Sequence, residues 1–301
     1  MQAITAAEIA SQPELWQRAA ALAGETADVL PDPGARVCAI GCGTSLYIAQ
    51  AWAALRERAG QGQTDAFAAS ELPDRRRYDV MVAISRSGST TEVIHALGRR
   101  SALRSVAITA DPASEVAAAA DDTISLAFAD ERSVVQTRFA TSALALLREP
   151  LEPGAVARAA DDARSALERP LPVDPEEVEQ WTFLGRGWTV GLAQEAALKL
   201  RESAQAWTEA YAMFEYRHGP ISIAAPGRVV WSFDAPDPSL TADLERIGAT
   251  LVSDELDPMA SLVVAQRTAV ALATARGLDP DRPRNLARSV ILADHDLEVL
   301  P

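Results

Sequence analysis

Three ionisable side chains in one stretch have the types and spacing for moving protons. Glu195, Lys199 and Glu202 stand at i, i+4 and i+7. At about 100° per residue they share one narrow polar face of a helix, while Leu192, Ala193, Ala196, Ala197 and Leu200 form its buried side. Beyond them comes His218, in Arg217-His218-Gly219-Pro220, where Gly-Pro ends the helical run and leaves the imidazole at an element end. A carboxylate, an ammonium and an imidazole that converge can move a proton between adjacent carbons. The same spacing also suits a solvated helix face with i,i+4 ion pairs, and a histidine before Gly-Pro also suits a plain turn.

A second constellation has phosphate chemistry. Residues 85–91, SRSGSTT, carry five hydroxyl side chains around one glycine, between an apolar run and a helix. In an open α/β sheet, ligands bind at the carboxyl ends of strands, where a helix N-terminus offers N–H donors and a favourable dipole. Gly88 lets the backbone approach, and Arg86 adds charge. A second hydroxyl pair, Thr44-Ser45, follows the first strand in the same way. Two such turns could grip a phosphate from two sides; ordinary helix capping by Ser and Thr is the alternative. No Gly-Lys-Ser/Thr is present, so neither is a Walker loop.

The elements that must position these groups alternate. Apolar strands at 37–40, 64–69, 79–84, 105–109 and 122–127 are separated by helices at 46–58 and 92–99, and a helix is expected over 132–148, entered through Ser133-Val134-Val135. Pro- and acid-rich segments flank a helix near 155–168, which reads as a spacer. Strands at 182–184, 229–233 and 249–252 then alternate with helices near 239–247 and 260–275. This pattern indicates an α/β protein with parallel sheets covered by helices on both faces. Gly41-x-Gly43 and Gly185-x-Gly187 lie 144 residues apart, and at that offset Ala49-Gln50 matches Ala193-Gln194 and Ala53 matches Ala197. Two copies of one domain follow. The expected organisation is an N-terminal helical segment at 1–30, a phosphate-binding domain at 31–150, a spacer at 151–180, an acid/base domain at 181–290 and a tail at 291–301.

The chain has 301 residues, 48% of them hydrophobic, enough for a substantial core. Lys and Arg number 28 against 42 Asp and Glu, a net charge of −14, which disfavours nucleic acid and acidic lipid as partners. No run approaches the roughly 18 apolar residues of a membrane span, and no signal peptide is read at the N-terminus. Cys38 and Cys42 read as small buried residues of a reducing, cytoplasmic compartment. The histidines His95, His218 and His295 are far apart in sequence, so no metal site is expected.

Taken together, Cys42-Gly43-Thr44-Ser45, SRSGSTT (85–91), ERSVVQTRFATS (131–142), EAALKLRE (195–202), TEAYAMFEYRHGP (208–220) and DRPRNLARSV (281–290) resemble a pair of sugar isomerase (SIS) domains. They resemble the isomerase half of glucosamine-6-phosphate synthases and, in the TRF and FEYRHGP wording, the stand-alone amino-sugar-phosphate deaminase/isomerases. The resemblance implies two flavodoxin-like domains, a phosphosugar substrate, no cofactor and a homodimer whose sites are shared between subunits. It implies that Thr44, Ser45, Ser85, Arg86, Ser87 and Thr90 hold the phosphate and that Val134, Glu195 and Arg288 line the sugar site. Glu202 would shuttle the proton, His218 would open the sugar ring from the partner subunit, and Lys199 would orient the groups nearby. The pattern departs from the synthases in three ways: no glutaminase segment or N-terminal cysteine is read at Met1-Gln2, Arg288 stands where they have a lysine, and a tail follows. Arginine stays protonated and is a poor Schiff-base former. The expected activity is aldose–ketose isomerisation of a phosphosugar, with deamination of a hexosamine 6-phosphate as its form. A deglycase of amine-linked sugar phosphates and a non-catalytic phosphosugar sensor are the alternatives.

Overall fold

The computed structural model describes residues 3–293 and 296. Two parallel sheets organise the chain. The first contains β1 (Val37–Gly41), β2 (Thr64–Ala68), β3 (Tyr78–Ser85), β4 (Ala102–Thr109) and β5 (Asp122–Ser125) in the order β2-β1-β3-β4-β5. The second contains β6 (Gln180–Gly185), β7 (Thr208–Ala212), β8 (Arg228–Ser232) and β9 (Thr250–Val252) in the order β7-β6-β8-β9. Every strand pair is parallel. The helices are α1 (Ile4–Ala10), α2 (Gln12–Glu25), α3 (Thr44–Arg58), α4 (Thr91–Gly98), α5 (Glu115–Ala119), α6 (Arg138–Arg148), α7 (Ala155–Glu168), α8 (Thr189–Ala204), α9 (Pro238–Ile247) and α10 (Pro258–Ala275). These are the parallel, helix-covered sheets expected from the alternation and the two flavodoxin-like halves implied by the resemblance, with the same order in each as far as the shorter sheet runs.

The chain divides into two compact units, neither contiguous in sequence. The first comprises Glu14–Glu131, Arg138–Val156 and the chain from Ala287. The second comprises the chain up to Pro13, Arg132–Thr137 and Ala157–Leu286. Their edges do not coincide with the divisions at 30, 150, 180 and 290 suggested by composition. The helix expected near 155–168 is α7, in which Val156, Ala159, Ala160, Ala163 and Ala166 are buried.

Packing follows the two-residue alternation of each strand. In the first unit Cys38, Ile40, Met81, Ala83 and Ala107 face Val93, Ala96 and Leu97 of α4 and Val116 of α5. Helix α3 packs on β1 and β2 and beside α6. In the second unit Leu184 and Val230 face Leu240 and Leu244 of α9. Trp181, Phe183 and Trp231 form a buried aromatic layer, with ring centroids 5.8–6.5 Å apart. Helix α8 lies on β6 and β7, and α10 packs against α8.

The sequence repeat is a geometric repeat. Gly43 and Gly187 share a φ of +54°, and each opens the turn into the helix. A Cβ on Gly41 would lie 2.7 Å from the Ser45 carbonyl carbon, and one on Gly185 2.4 Å from that of Thr189. Both strands can turn directly into a helix only because glycine stands at the crossing.

Two elements differ from expectation. Residues 132–137 are not helical, and α6 starts at Arg138. The β-branched pair Val134-Val135 has its backbone engaged elsewhere: the Val134 N–H donates to the Asp281 carbonyl at 3.0 Å, and Ser133 Oγ donates to the Val135 carbonyl at 2.8 Å. The run before His218 is also broken. Helix α8 ends at Ala204, capped by Gln205 in the left-handed region, and β7 intervenes before the short 3-10 turn Glu215–His218.

Asp281 closes the second unit's chain ends together. Its carboxylate accepts the N–H groups of Ile4 and Thr5, both at 2.8 Å, and the Thr5 hydroxyl at 2.7 Å, capping a helix that has no local cap. Burial would raise this carboxyl, but the hydrogen bonds from Thr5 and Ile4 outweigh it and hold it below the usual range. Its stabilisation is therefore present above the unfolded pKa of about 4 and is lost as pH falls through the folded value. Asp281→Ala is expected to cost ~1 kcal/mol at pH 7, and less toward pH 3. Urea unfolding at the two pH values checks this, and an unchanged midpoint at pH 7 would refute it.

Candidate active site

The phosphate-type turns both belong to the first unit. The register Ile40↔Ala83 aligns β1 with β3, so Gly41–Ser45 and Ser85–Thr91 emerge at the same carboxyl edge. Strand order reverses between β1 and β3, which is where ligands bind in open α/β sheets. Thr44, Ser45 and Ser85 are all buried. Ser85 Oγ lies 3.4 Å from Thr90 Oγ1 and accepts the Gly88 N–H at 3.2 Å, while Ser87 Oγ accepts the Ser89 N–H at 3.3 Å.

Capping was the competing reading of these hydroxyls. Helices α5, α9 and α10 are capped by the side chains of Ser114, Asp237 and Asp257. Helices α3 and α4, which follow the two hydroxyl-rich turns, have no side-chain cap. The hydroxyls therefore frame two helix N-termini without capping them, a geometry suited to an anion.

Arg86 is buried, with its guanidinium 3.7 Å from Glu131 Oε2 and donating to the Arg288 carbonyl at 3.0 Å. The segment after Ala287 runs along this turn. Ser87 Oγ donates to Ser289 Oγ at 3.1 Å, and the Leu292 N–H donates to Thr91 Oγ1 at 3.0 Å. Arg288 pairs with Asp130 at 2.5 Å and also donates to the Glu131 carbonyl. Its guanidinium is thus committed to acceptors of the same unit. Of the tail expected at 291–301, only Ile291–Ala293 and Asp296 are described, and His295 lies outside the described residues.

Cys42 sits in the first turn. Burial, aided by the Glu92 charge, pushes its thiol up to about 11, and burial pushes Cys38 to about 12. Neither supplies a thiolate near neutral pH.

The acid/base residues belong to the second unit. Glu195 and Lys199 are buried on α8, and Glu202 keeps 19% of its side-chain area exposed. Lys199 Nζ stands between the two carboxylates, 3.4 Å from Glu195 Oε1 and 2.5 Å from Glu202 Oε2. The three therefore form a buried ion line whose outer end is a carboxylate that reaches solvent. His218 is exposed at the end of its 3-10 turn, beside Arg217, which pairs with Asp243. Val134 is part-buried in the same unit.

The second sheet answers the same topology differently. At its β6/β8 switch point Asp234 accepts the Arg186 N–H at 2.9 Å and the Thr189 hydroxyl. A carboxylate of the chain thus occupies the place left to hydroxyls in the first unit, which makes this turn unsuited to a second anion. Sequence reasoning missed Asp234, because an acid in a Pro-rich loop reads as a turn residue. It also missed Asp130, Glu131 and Ser289. Among the described residues no group of three or more His, Cys, Asp or Glu is placed to hold a metal, and no helix is long and apolar enough to cross a membrane.

Comparison with known proteins places this architecture. Residues 32–148 match the model of the SIS domain. The glutamine–fructose-6-phosphate aminotransferase (isomerizing) of Bradyrhizobium diazoefficiens is 28% identical over 316 aligned residues, covering 85% of this chain and 52% of that protein. That of Sulfurisphaera tokodaii is 29% identical over 296 residues, covering 85% and 50%. The chain spans about half the length of these curated relatives. The crystal structure of a glucosamine-6-phosphate deaminase from Thermotoga maritima superposes with a TM-score of 0.83 at 25% identity, covering 96% of this chain and 100% of that one. The tagatose-6-phosphate ketose/aldose isomerase of Escherichia coli shares the fold, with a TM-score of 0.81 at 20% identity over 97% and 96% of the chains. The fold of two flavodoxin-like sheets is shared with these solved structures. The similarity places an SIS domain at residues 32–148.

Gly88 gives this site a direct check. Its φ is +66°, and a Cβ would lie 2.0 Å from Ser114 Oγ; Gly43 has φ +54° but nothing within 4 Å. Gly88→Ala is expected to destabilise by ~2 kcal/mol or more, and Gly43→Ala by ~1 kcal/mol. Equal losses in thermal unfolding would show that the Ser114 contact relaxes freely. Cys42 in the native protein is expected to resist iodoacetamide at pH 7.5 and to react only on unfolding, as read by mass spectrometry.

Proposed function

We propose that the protein is a cytoplasmic, homodimeric enzyme that moves a proton between C1 and C2 of a hexose 6-phosphate. In its nitrogen-bearing form the reaction converts a hexosamine 6-phosphate and water to a ketohexose 6-phosphate and ammonia. Thr44, Ser45, Ser85, Arg86, Ser87 and Thr90, within residues 31–150, hold the phosphate. Glu202, within residues 181–290, takes the carbon proton from one carbon and returns it to the other. Lys199 fixes the Glu202 carboxylate, and Glu195 anchors Lys199. His218 protonates the ring oxygen during ring opening, acting in the site of the partner subunit. Val134 and Arg288 border the sugar.

The observation that carries this reading is the ion line of α8. A carboxylate held by a buried lysine 2.5 Å away keeps one oxygen direction fixed while its outer end meets solvent. Such a group is a base for a carbon acid, whose abstraction needs fixed geometry more than free reach. The uncapped hydroxyl-rich turns support the phosphate half. The SIS-family match and the names of the proteins that superpose on the chain support the substrate class. Arg288 supports a route without a lysine imine, since a guanidinium is a poor Schiff-base former and this one is engaged by Asp130.

Incubation with glucosamine 6-phosphate and galactosamine 6-phosphate, following ammonia and ketohexose 6-phosphate, tests the proposal. Glu202→Gln is expected to lower kcat by about 10²–10⁴-fold while phosphosugar affinity changes only a few-fold. Parallel loss of binding and turnover would make Glu202 a structural residue instead. Tight binding without turnover by the native protein, on these sugars and on other hexose phosphates, would overturn the enzyme reading.

A further inference from the structure

The first unit carries a cavity of about 490 Å³ at the amino edge of its sheet, the edge opposite the two phosphate-type turns. Its wall comes from α2, the loop before β1, the last turns of α3 and the chain at the end of α6. The sequence explains the hollow. Trp16 anchors the start of α2, buried and with its indole N–H donating to the Thr141 hydroxyl of α6 at 2.8 Å. Further along, the face of α2 toward the cavity shrinks to Ala20, Ala23 and Gly24. A helix held off by a large side chain at one end and carrying small ones at the other leaves space beside its neighbour. Leu30, Trp52, Leu147 and Leu151 make most of the remaining wall apolar. Cavities of about 300–1,000 Å³, apolar with a few placed polar groups, are the kind that hold small molecules.

Two charged side chains interrupt that wall, Arg56 and Glu149. Arg56 is only 2% exposed. Its Nη1 donates to the Ala35 carbonyl at 3.1 Å, the Gly62 carbonyl at 3.2 Å and the Thr64 hydroxyl at 2.8 Å, and its Nη2 to the Asp32 carbonyl at 2.8 Å. Each of these acceptors is neutral, and none of them is served by Nε. Burial pushes the guanidinium down, against the Glu57 charge. Glu149 Oε1 accepts the Gly154 N–H at 2.8 Å, while its Oε2 is buried with no hydrogen-bond partner. Arg58 and Arg148 both pair with Glu152 instead. The bonds of Arg56 do not run to Glu149, so the cavity keeps one positive and one negative group apart on an apolar wall.

A charge taken out of water costs free energy that a ligand of opposite sign recovers. A carboxylate ligand would answer Arg56 and meet Glu149 with like charge; an amine would do the reverse. The head group of an α-amino acid carries both signs. We propose that this cavity is a binding site for a free amino acid with a large apolar side chain. The ligand's carboxylate accepts from Arg56 Nε–H, its ammonium donates to Glu149, and its side chain lies against Trp52, Leu147 and Leu151. Binding makes and breaks no covalent bond, and the site does not depend on the proton-transfer role of Glu202. Helix α3 links it to the phosphate turn: Ser45 stands in the first turn and Arg56 in the last, roughly 16 Å apart along the axis.

Calorimetric titration of the native protein with three probes tests the proposal: L-phenylalanine, 3-phenylpropionate, which lacks the ammonium, and phenethylamine, which lacks the carboxylate. Phenylalanine is expected to bind about tenfold or more tightly than either analogue. Glu149→Gln keeps an acceptor for the Gly154 N–H and removes the charge. It is expected to weaken phenylalanine about tenfold and to leave 3-phenylpropionate no weaker. Equal weakening of both would overturn the role of Glu149. Ala20→Phe fills the cavity from a half-buried position and is expected to abolish binding with thermal unfolding little changed. Unchanged binding in that variant would place phenylalanine elsewhere and overturn the site. Equal affinities for the three probes would overturn the charge match, and no binding of any at millimolar concentration would overturn the proposal outright. Ammonia release from glucosamine 6-phosphate is a separate readout, so none of these results bears on the isomerase reading.

Discussion

A strand that turns straight into a helix aims the helix's first N–H groups at the carboxyl edge of a parallel sheet, and those donors need partners. This one constraint shapes both halves of the chain. At the second sheet Asp234 answers it internally, accepting from Arg186 and Thr189. At the first sheet the turns after β1 and β3 place hydroxyls around helices that no side chain caps. Duplication of one fold has thus left one switch point closed by the protein's own carboxylate and one lined by hydroxyls and the Arg86 guanidinium. A carboxylate of the chain opposes an anion at the former, while at the latter helices α3 and α4 carry no capping side chain.

The second half spends its ionisable groups differently. A lysine and a glutamate buried on one helix face lose hydration that only mutual contact can restore. Lys199 obtains that contact from Glu195 on one side and Glu202 on the other. The result fixes the outer carboxylate in direction, which an exposed i,i+4 pair on a mobile surface would not do.

Much of the fold is legible from local pattern. Parallel strands buried on both faces read as continuous apolar runs, so β1, β3, β4, β6 and β8 stand out. The Gly-x-Gly repeat is legible because only glycine tolerates both the positive φ and the close approach of the following helix. The segment 132–137 is not legible as a loop. Its apolar residues suit a helix, and what prevents one is bonding to Asp281 and to Glu8, far away in sequence. Gln205 is opaque for a related reason, since a glutamine after an apolar helix gives no sign of a left-handed cap.

The residue types alone determined that a carboxylate, an ammonium and a second carboxylate share one helix face, and that hydroxyls cluster where two strands become helices. Periodicity and glycine placement are properties of neighbours in sequence, so they survive without coordinates. Whether the helix face is buried or bathed, whether a hydroxyl caps a helix or bonds elsewhere, and which chain segment returns to lie along the Ser87 turn were decided only in three dimensions. Each depends on contacts between residues tens to hundreds of positions apart, such as Ser87 with Ser289 and Thr189 with Asp234. Desolvation and hydrogen-bond satisfaction are set by those contacts, and no local pattern encodes them.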